Sequence, residues 1–372
     1  MAETTSTVFQ DRRLVLCVGP GGVGKTTCAA ALGLHAAAQG RRVVVVTIDP
    51  ARRLAQALGL ESCTPGEVVP VVREPGVHLD ALILDGAKVF ESIVRDNAST
   101  AQTAETILNS RMYQATAQRL SGALEFAAMA RVQMLVDAGA HDLIVLDTPP
   151  TANAIDFLDA PKRVRELIDN PGARLLAGTG RFGARILGLG SSVLSKTLET
   201  IGGGQFIGDL GVFLREFADV LEEFHRRGGN FEQLLRSRAT GVLLVTSAST
   251  FSVREAEAFS SQLAAYGLRV DAVVLNRIDK TVPEPPPKHQ LEAVLRSGAA
   301  ASPVAADTPG VDQVQRIYTA YAGARALGER TRRSIEAISS SRANLQVWTA
   351  SRRADPPDTL PELRELGAEI FG

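Results

Sequence analysis

The segment Gly19-Pro20-Gly21-Gly22-Val23-Gly24-Lys25-Thr26 limits what this chain can fold into more than any other. It has the spacing G-x4-G-K-[ST]. An apolar run over residues 14–18 precedes it and reads as a buried strand. Residues 26–39 follow it, rich in alanine and stopped by Gly40, and read as a helix. Glycines in such a loop let backbone N–H groups converge on one anion, and the helix after it aims its positive end at the same point. A lysine there reaches the outer phosphates of a nucleoside triphosphate, and the next hydroxyl ligates magnesium. Gly19, Gly21, Gly22, Val23, Gly24, Lys25, Thr26 and Thr27 are therefore expected to hold phosphate, with Thr26 on Mg2+. A Gly-rich turn with an incidental lysine is the competing reading, and it leaves the strand-loop-helix context unexplained.

Strand, loop, helix and a β-branched run at 43–48 make a βαβ unit, which requires parallel pairing. Further buried-strand patterns lie at 79–84, 143–146, 242–246 and 272–275. An edge strand is expected at 345–348 and a closing helix at 360–370. The expected fold class is α/β: a mostly parallel P-loop NTPase sheet covered by helices on both faces. Residues 86–140 and 160–236 carry helical patterns and no strand signal, and both are too long for loops. They are expected to form a helical subdomain inserted into one ATPase domain, 12–372, behind a disordered extension over 1–11. Prolines at 283–287 mark an exposed loop.

Two aspartates follow strands. Asp147 ends the run at 143–146, the Walker B arrangement in which a carboxylate holds Mg2+, here through water. Asp49 follows the second strand and precedes Pro50. It reads as a helix N-cap with proline in the first turn and, compatibly with that, as a carboxylate that orients attacking water. Asn276 and Arg277, at the end of the 272–275 strand, are expected on the base edge. With Ile278 and Asp279 they also parallel the Asn-Lys-x-Asp that reads guanine, which keeps GTP open as an alternative to ATP.

A net charge of -1 gives no basic footprint, so no nucleic-acid partner is expected. Cys17, Cys28 and Cys63 form no CxxC pair, which argues against a disulfide framework or structural zinc and suits a reducing, cytoplasmic setting. The polar start lacks a signal-peptide pattern, and no apolar run approaches the ~20 residues that span a bilayer. Any membrane role is expected to be peripheral or through a partner.

In their order, these motifs resemble the arsenite-pump (ArsA) and tail-anchored-protein targeting ATPases, within the deviant-Walker-A class that includes MinD and ParA proteins. The likeness spans most of the chain. That family's loop, Gly-Lys-Gly-Gly-Val-Gly-Lys-Thr, is similar to residues 19–26. Its first switch resembles Asp49-Pro50-Ala51, its second Asp147-Thr148-Pro149-Pro150-Thr151-Ala152, and its adenine-contacting asparagine matches Asn276. The resemblance implies ATP as substrate, Asp49 and Lys25 as catalytic residues, and a dimer with nucleotides near its interface. It also implies a helical subdomain that handles a hydrophobic or membrane-bound client.

Pro20 stands where the family carries a lysine that reaches the partner's nucleotide, so a heterodimer with a lysine-bearing paralogue, or a non-hydrolysing scaffold subunit, is the alternative. Cysteines are absent from the helical segments, and Ser249 aligns with a nucleotide-side glutamate of the targeting ATPases. A MinD/ParA-type positioning role is a lesser alternative, opposed by the acidic terminal helix with Glu362, Glu365 and Glu369. Phe206, Leu210, Phe213, Phe217, Leu221 and Phe224 share one helix face, as core or as a client groove. The Gly-rich stretch 171–204 reads as a flap or as a linker. Met112, Met129 and Met134 suit an adaptable surface.

Overall fold

The computed structural model describes residues 8–48, 58–59, 63–110, 113, 124–149, 154, 157–160, 162, 166, 218–279, 282–300, 311–341 and 345–372. Asp49, the 171–204 stretch, Met112 and residues Phe206 to Phe217 lie outside them, as do the side chains of Leu221 and Phe224.

The first half runs β1 (Leu14–Val18), α1 (Lys25–Ala38), β2 (Arg42–Thr47), β3 (Val68–Glu74), β4 (Val77–Ile83), α2 (Gly86–Asn97), α3 (Ala101–Asn109), α4 (Leu124–Ala138) and β5 (Leu143–Asp147). Then come α5 (Ala218–Arg236), β6 (Thr240–Ser247), α6 (Thr250–Ala265), β7 (Ala272–Ile278), α7 (Lys288–Ala300), α8 (Val311–Ser341), β8 (Gln346–Ser351) and α9 (Leu360–Phe371). Eight strands form one sheet in the order β3-β4-β2-β5-β1-β6-β7-β8, parallel at every pairing except β3 with β4. The fold class expected from the sequence is the one found. β1 lies between β5 and β6, so the chain changes its direction of travel across the sheet at β1. In open α/β sheets such a switch opens a crevice at the carboxyl ends of the strands.

Successive residues of a strand face opposite sides, and here both sides are dry. Leu14, Leu16 and Val18 face a core shared with α2 to α6, whereas Val15 and Cys17 face one shared with α1 and α9. The same alternation divides Val44 and Val46 from Val43 and Val45. That is why these strands read as continuous apolar runs. Within the expected helical insert, α2, α3 and α4 contribute Phe90, Ile93, Ile107 and Ala128 to the sheet's own core. Met129 is fully buried there and Met134 packs against it, so these two methionines fill core rather than an adaptable surface.

Two further expectations are corrected. β3 carries no alternating pattern and was not anticipated. It is the sheet's antiparallel edge, irregular between Pro70 and Val72, and proline is tolerated there because an edge strand leaves N–H groups unpaired. The extension expected to be disordered over 1–11 is structured from residue 8. Phe9 is buried against Trp348, with ring centroids 5.9 Å apart, and its carbonyl accepts from Arg41 at 2.9 Å. The proline loop before α7 is extended and largely exposed. The acidic terminal helix α9 buries Leu363, Leu366, Ile370 and Phe371 in the α1-side core. No described helix is long and apolar enough to cross a membrane.

Candidate nucleotide site

β1 delivers the chain into the loop, and two of the loop's glycines are there for steric reasons. Gly19 has φ +148°, and a Cβ there would fall 2.0 Å from the Val245 carbonyl oxygen of β6. Gly24 has φ +93°, and a Cβ there would fall 2.3 Å from Asn276 Nδ2. The loop is thus pressed against β6 and β7 at positions only glycine can occupy. Gly21 and Gly22 are exposed, whereas Pro20 and Val23 are buried.

α1 begins directly after Gly24 with no side-chain cap and no acidic residue in its first turn. α2, α3 and α6 are capped by Asp85, Thr100 and Ser249. An uncapped helix start leaves amide donors and a positive dipole end for an anion. Lys25 is buried at this start, and its ammonium donates to the Pro20 carbonyl at 2.9 Å, which holds it across the loop. Thr26 and Thr27 are half-buried in the same turn.

β5 brings Asp147 to the loop. Its Oδ2 accepts from Thr26 Oγ1 at 2.7 Å and from Thr47 Oγ1, at the end of β2, at 3.0 Å. Asp147 is 1% exposed. Three oxygen-bearing side chains from α1, β2 and β5 therefore meet at one point. Thr148, next along, donates its hydroxyl to the Cys17 carbonyl at 2.8 Å and fixes the exit of β5 against β1. The charge of Asp147 reaches Cys17 and Cys28, both fully buried in the α1-side core. Burial first, then that carboxylate, pushes the Cys17 thiol up, and the same two causes push Cys28 up to about 12. Neither thiol ionises in water near neutrality.

β7 ends in an irregularity. Its register against β8 shifts between Leu275 and Ile278, and Arg277 adopts φ +57°, a left-handed conformation uncommon for a non-glycine residue. Asn276 Oδ1 accepts the Arg277 N–H at 2.8 Å, and Nδ2 donates to the Val23 carbonyl at 2.9 Å. The asparagine expected on a base edge is here buried and bonded to the loop. Arg277 is exposed. Two clefts meet at these residues. One, of about 260 Å³, is walled by Gly24, Thr27, Asn276, Arg277 and the segment Ser351 to Pro357. The other, of about 300 Å³, lies beside Gly21 and Gly22 and is walled by Ser249, Ser252, Arg277 and Arg330. Asp279, the candidate for reading guanine, is held by Arg352 through contacts of 2.6 and 3.1 Å. Ser249 caps α6 by accepting the Ser252 N–H at 3.1 Å.

The loop residues, Lys25, Thr26, Asp147, Asn276 and Arg277 thus come together, while Asp49 lies outside the described residues. Sequence reasoning missed Thr47 and the segment 351–357. A polar residue closing a run of four valines signalled the first, and Pro356-Pro357 after β8 the second.

A model of the ArsA-type anion-transporting ATPase family matches residues 12–293. "Putative arsenical pump-driving ATPase 1" of Aquifex aeolicus is 24% identical over 72% of this chain and 63% of its own length. "Uncharacterized protein SCO2128" of Streptomyces coelicolor is 30% identical over 72% of this chain and 62% of its own. "ATPase get3" of Aspergillus terreus is 24% identical over 72% of this chain and 73% of its own. The matched region spans less than two thirds of the first two relatives.

Proposed function

This chain belongs to the anion-transporting ATPase family of the ArsA and Get3 type, and on that footing we propose that it binds ATP with magnesium at residues 19–27 and hydrolyses it. The single observation behind this reading is the meeting of Lys25, Thr26 and Asp147 at an uncapped helix start on the carboxyl edge of the sheet. In the proposal the triphosphate replaces the Pro20 carbonyl as the partner of Lys25, and amides of the loop and of Thr26 and Thr27 hold its oxygens. The donors suit magnesium, a hard cation that takes oxygen ligands. The Thr26 hydroxyl donates its hydrogen bond to Asp147, which leaves a lone pair of its oxygen free to face the cation, and Asp147 acts through water. Bound magnesium would neutralise phosphate charge.

The base lies in the cleft between Asn276 and residues 351–357, with Asn276 and Arg277 at its edge. Adenine is favoured over guanine because the Asp279 carboxylate is tied to Arg352. Asp49 orients the attacking water, by resemblance to the family. Nucleotide state governs a dimer and, through the segments 86–140 and 160–236, a hydrophobic or membrane-associated client. Phosphate release from ATP by the purified chain tests hydrolysis. Turnover that disappears in Asp49→Asn supports the proposal; no turnover with intact binding contradicts it.

Pro20 favours a second reading. It supplies no charge at the loop's second position and is buried. Under that reading, hydrolysis by the isolated chain is absent and appears only on mixing with a paralogue that carries lysine there.

A further inference from the structure

The acidic terminal helix has no part in the proposal above, yet two of its three glutamates end on the wall of the base cleft. Glu369 accepts the Ser351 N–H at 2.7 Å and the Arg353 guanidinium at 2.8 Å. Glu362 accepts the Asp358 N–H at 3.1 Å. These glutamates lie about two turns apart, so they stand on one side of α9. The wall, residues 351–357, is thus pinned at its start and just past its end by carboxylates of a single helix. Arg352 adds an anchor on the sheet, through its N–H to the Ile278 carbonyl at 2.9 Å and its side chain to Asp279. Between the anchors Ala354, Asp355 and Pro356 are exposed. Pro356 and Pro357 stiffen the span, because each fixes one backbone angle.

α9 is in turn seated on α1. A Cβ at Gly367 would fall 2.8 Å from the Ala31 carbonyl oxygen, so the two helices meet backbone to backbone. Leu366, next to it, is buried and lines the cleft. α1 starts at the phosphate loop, so one helix pair carries both the loop and the wall opposite Asn276. Glu369 holds main chain and side chain of that wall at once. Its pairing with Arg353 is charge-assisted and partly withdrawn from water, the two side chains being 30% and 27% exposed. Neither α9 nor the wall falls within residues 12–293, which the family model matches.

We infer that Glu369 is a positioning residue for the nucleoside: through Ser351 and Arg353 it holds the wall against the base, and it takes no part in holding the triphosphate. The inference rests on the nucleotide reading above and adds to it a determinant of base affinity remote from every nucleotide motif.

Titration calorimetry of ATP and of inorganic tripolyphosphate, both with Mg2+, into the full chain separates this role from general support. Tripolyphosphate reports the loop alone, and ATP reports loop and cleft together. Glu369→Ala is expected to weaken ATP about ten-fold and to leave tripolyphosphate within about two-fold. Glu369→Gln keeps an acceptor for the Ser351 N–H but loses the charge facing Arg353, and is expected to fall between; being isosteric, it carries the test if Glu369→Ala does not fold. Arg364→Ala removes a different ion pair of the same helix, to Glu74 at 2.6 Å, and is expected to change neither affinity. The inference is overturned if Glu369→Ala weakens both ligands equally, if it leaves ATP affinity unchanged, or if Arg364→Ala weakens ATP as much. Wild-type protein that binds tripolyphosphate and ATP equally well also overturns it, and leaves the phosphate loop intact. Wild-type protein that binds neither contradicts the nucleotide reading itself, and this inference with it.

Discussion

Asn276 donates its side-chain amide to the Val23 carbonyl at 2.9 Å, and the same nitrogen lies where a side chain at Gly24 would have to go. The end of β7 is therefore bolted to the turn from which α1 starts. Gly24→Ala is expected to destabilise the protein by about 1–2 kcal/mol from its positive φ alone, and by more from the clash. Asn276→Ala in the same chain removes the clash but not the φ penalty. Urea denaturation of both single variants and the double should show the double less destabilised than the sum, with a coupling of about 1 kcal/mol.

Thr47 donates to the same Asp147 oxygen as Thr26, from a different strand. Thr47→Val leaves a buried carboxylate with one fewer donor and is expected to cost about 1.5–3 kcal/mol in urea denaturation. Thr47→Ser keeps the hydroxyl and should recover most of it. If Asp147 holds magnesium through water, Thr47→Val also makes ATP affinity less responsive to Mg2+ in a titration.

The three thiols should separate cleanly. Cys17 and Cys28 are buried with raised thiol pKa values, and Cys63 is half-buried. A colourimetric thiol reagent at pH 8 is expected to find one fast equivalent in the native protein and three in denaturant. Two or more fast native equivalents would mean that the loop opens far more than its packing suggests.

Asp142 offers a pH signature remote from the site. It accepts from the Arg42 guanidinium at 2.6 and 3.1 Å and from the Arg42 N–H at 2.9 Å, which lowers its pKa to about 2. The unfolded value is near ~3.9, so the folded carboxylate is the better acid. Its stabilisation is fully present above pH ~4 and is lost as pH falls through about 2. Both partners are well exposed, so the effect is small. Asp142→Asn should melt slightly below wild type at pH 6, with the gap closing by pH 2.

Much of this architecture is legible in the sequence because it is local. β1, the loop and α1 are contiguous, and a buried parallel strand is an apolar run whatever its neighbours. β3 escaped because Val68, Val69, Val71 and Val72 flank a proline and make no alternation; only Pro75-Gly76 before β4 hinted at a hairpin. The contact between Thr26 and Asp147 joins residues 121 apart in sequence, and each was readable as a magnesium residue from its own motif. Thr47, Arg330 and the segment 351–357 belong to no motif. Their relation to the loop exists only once the sheet order places β2, β7 and β8 around β1. Asn276 was legible as a residue at the site, but not its bond to Val23, which depends on the left-handed turn at Arg277.

Titration calorimetry of ATP into the purified chain, with and without Mg2+, tests the central proposal most directly. Saturable binding is predicted that tightens with Mg2+ and is lost in a folded Lys25→Ala variant, whose ammonium otherwise rests on Pro20. Binding unchanged by Lys25→Ala, or none by the wild type, would contradict it.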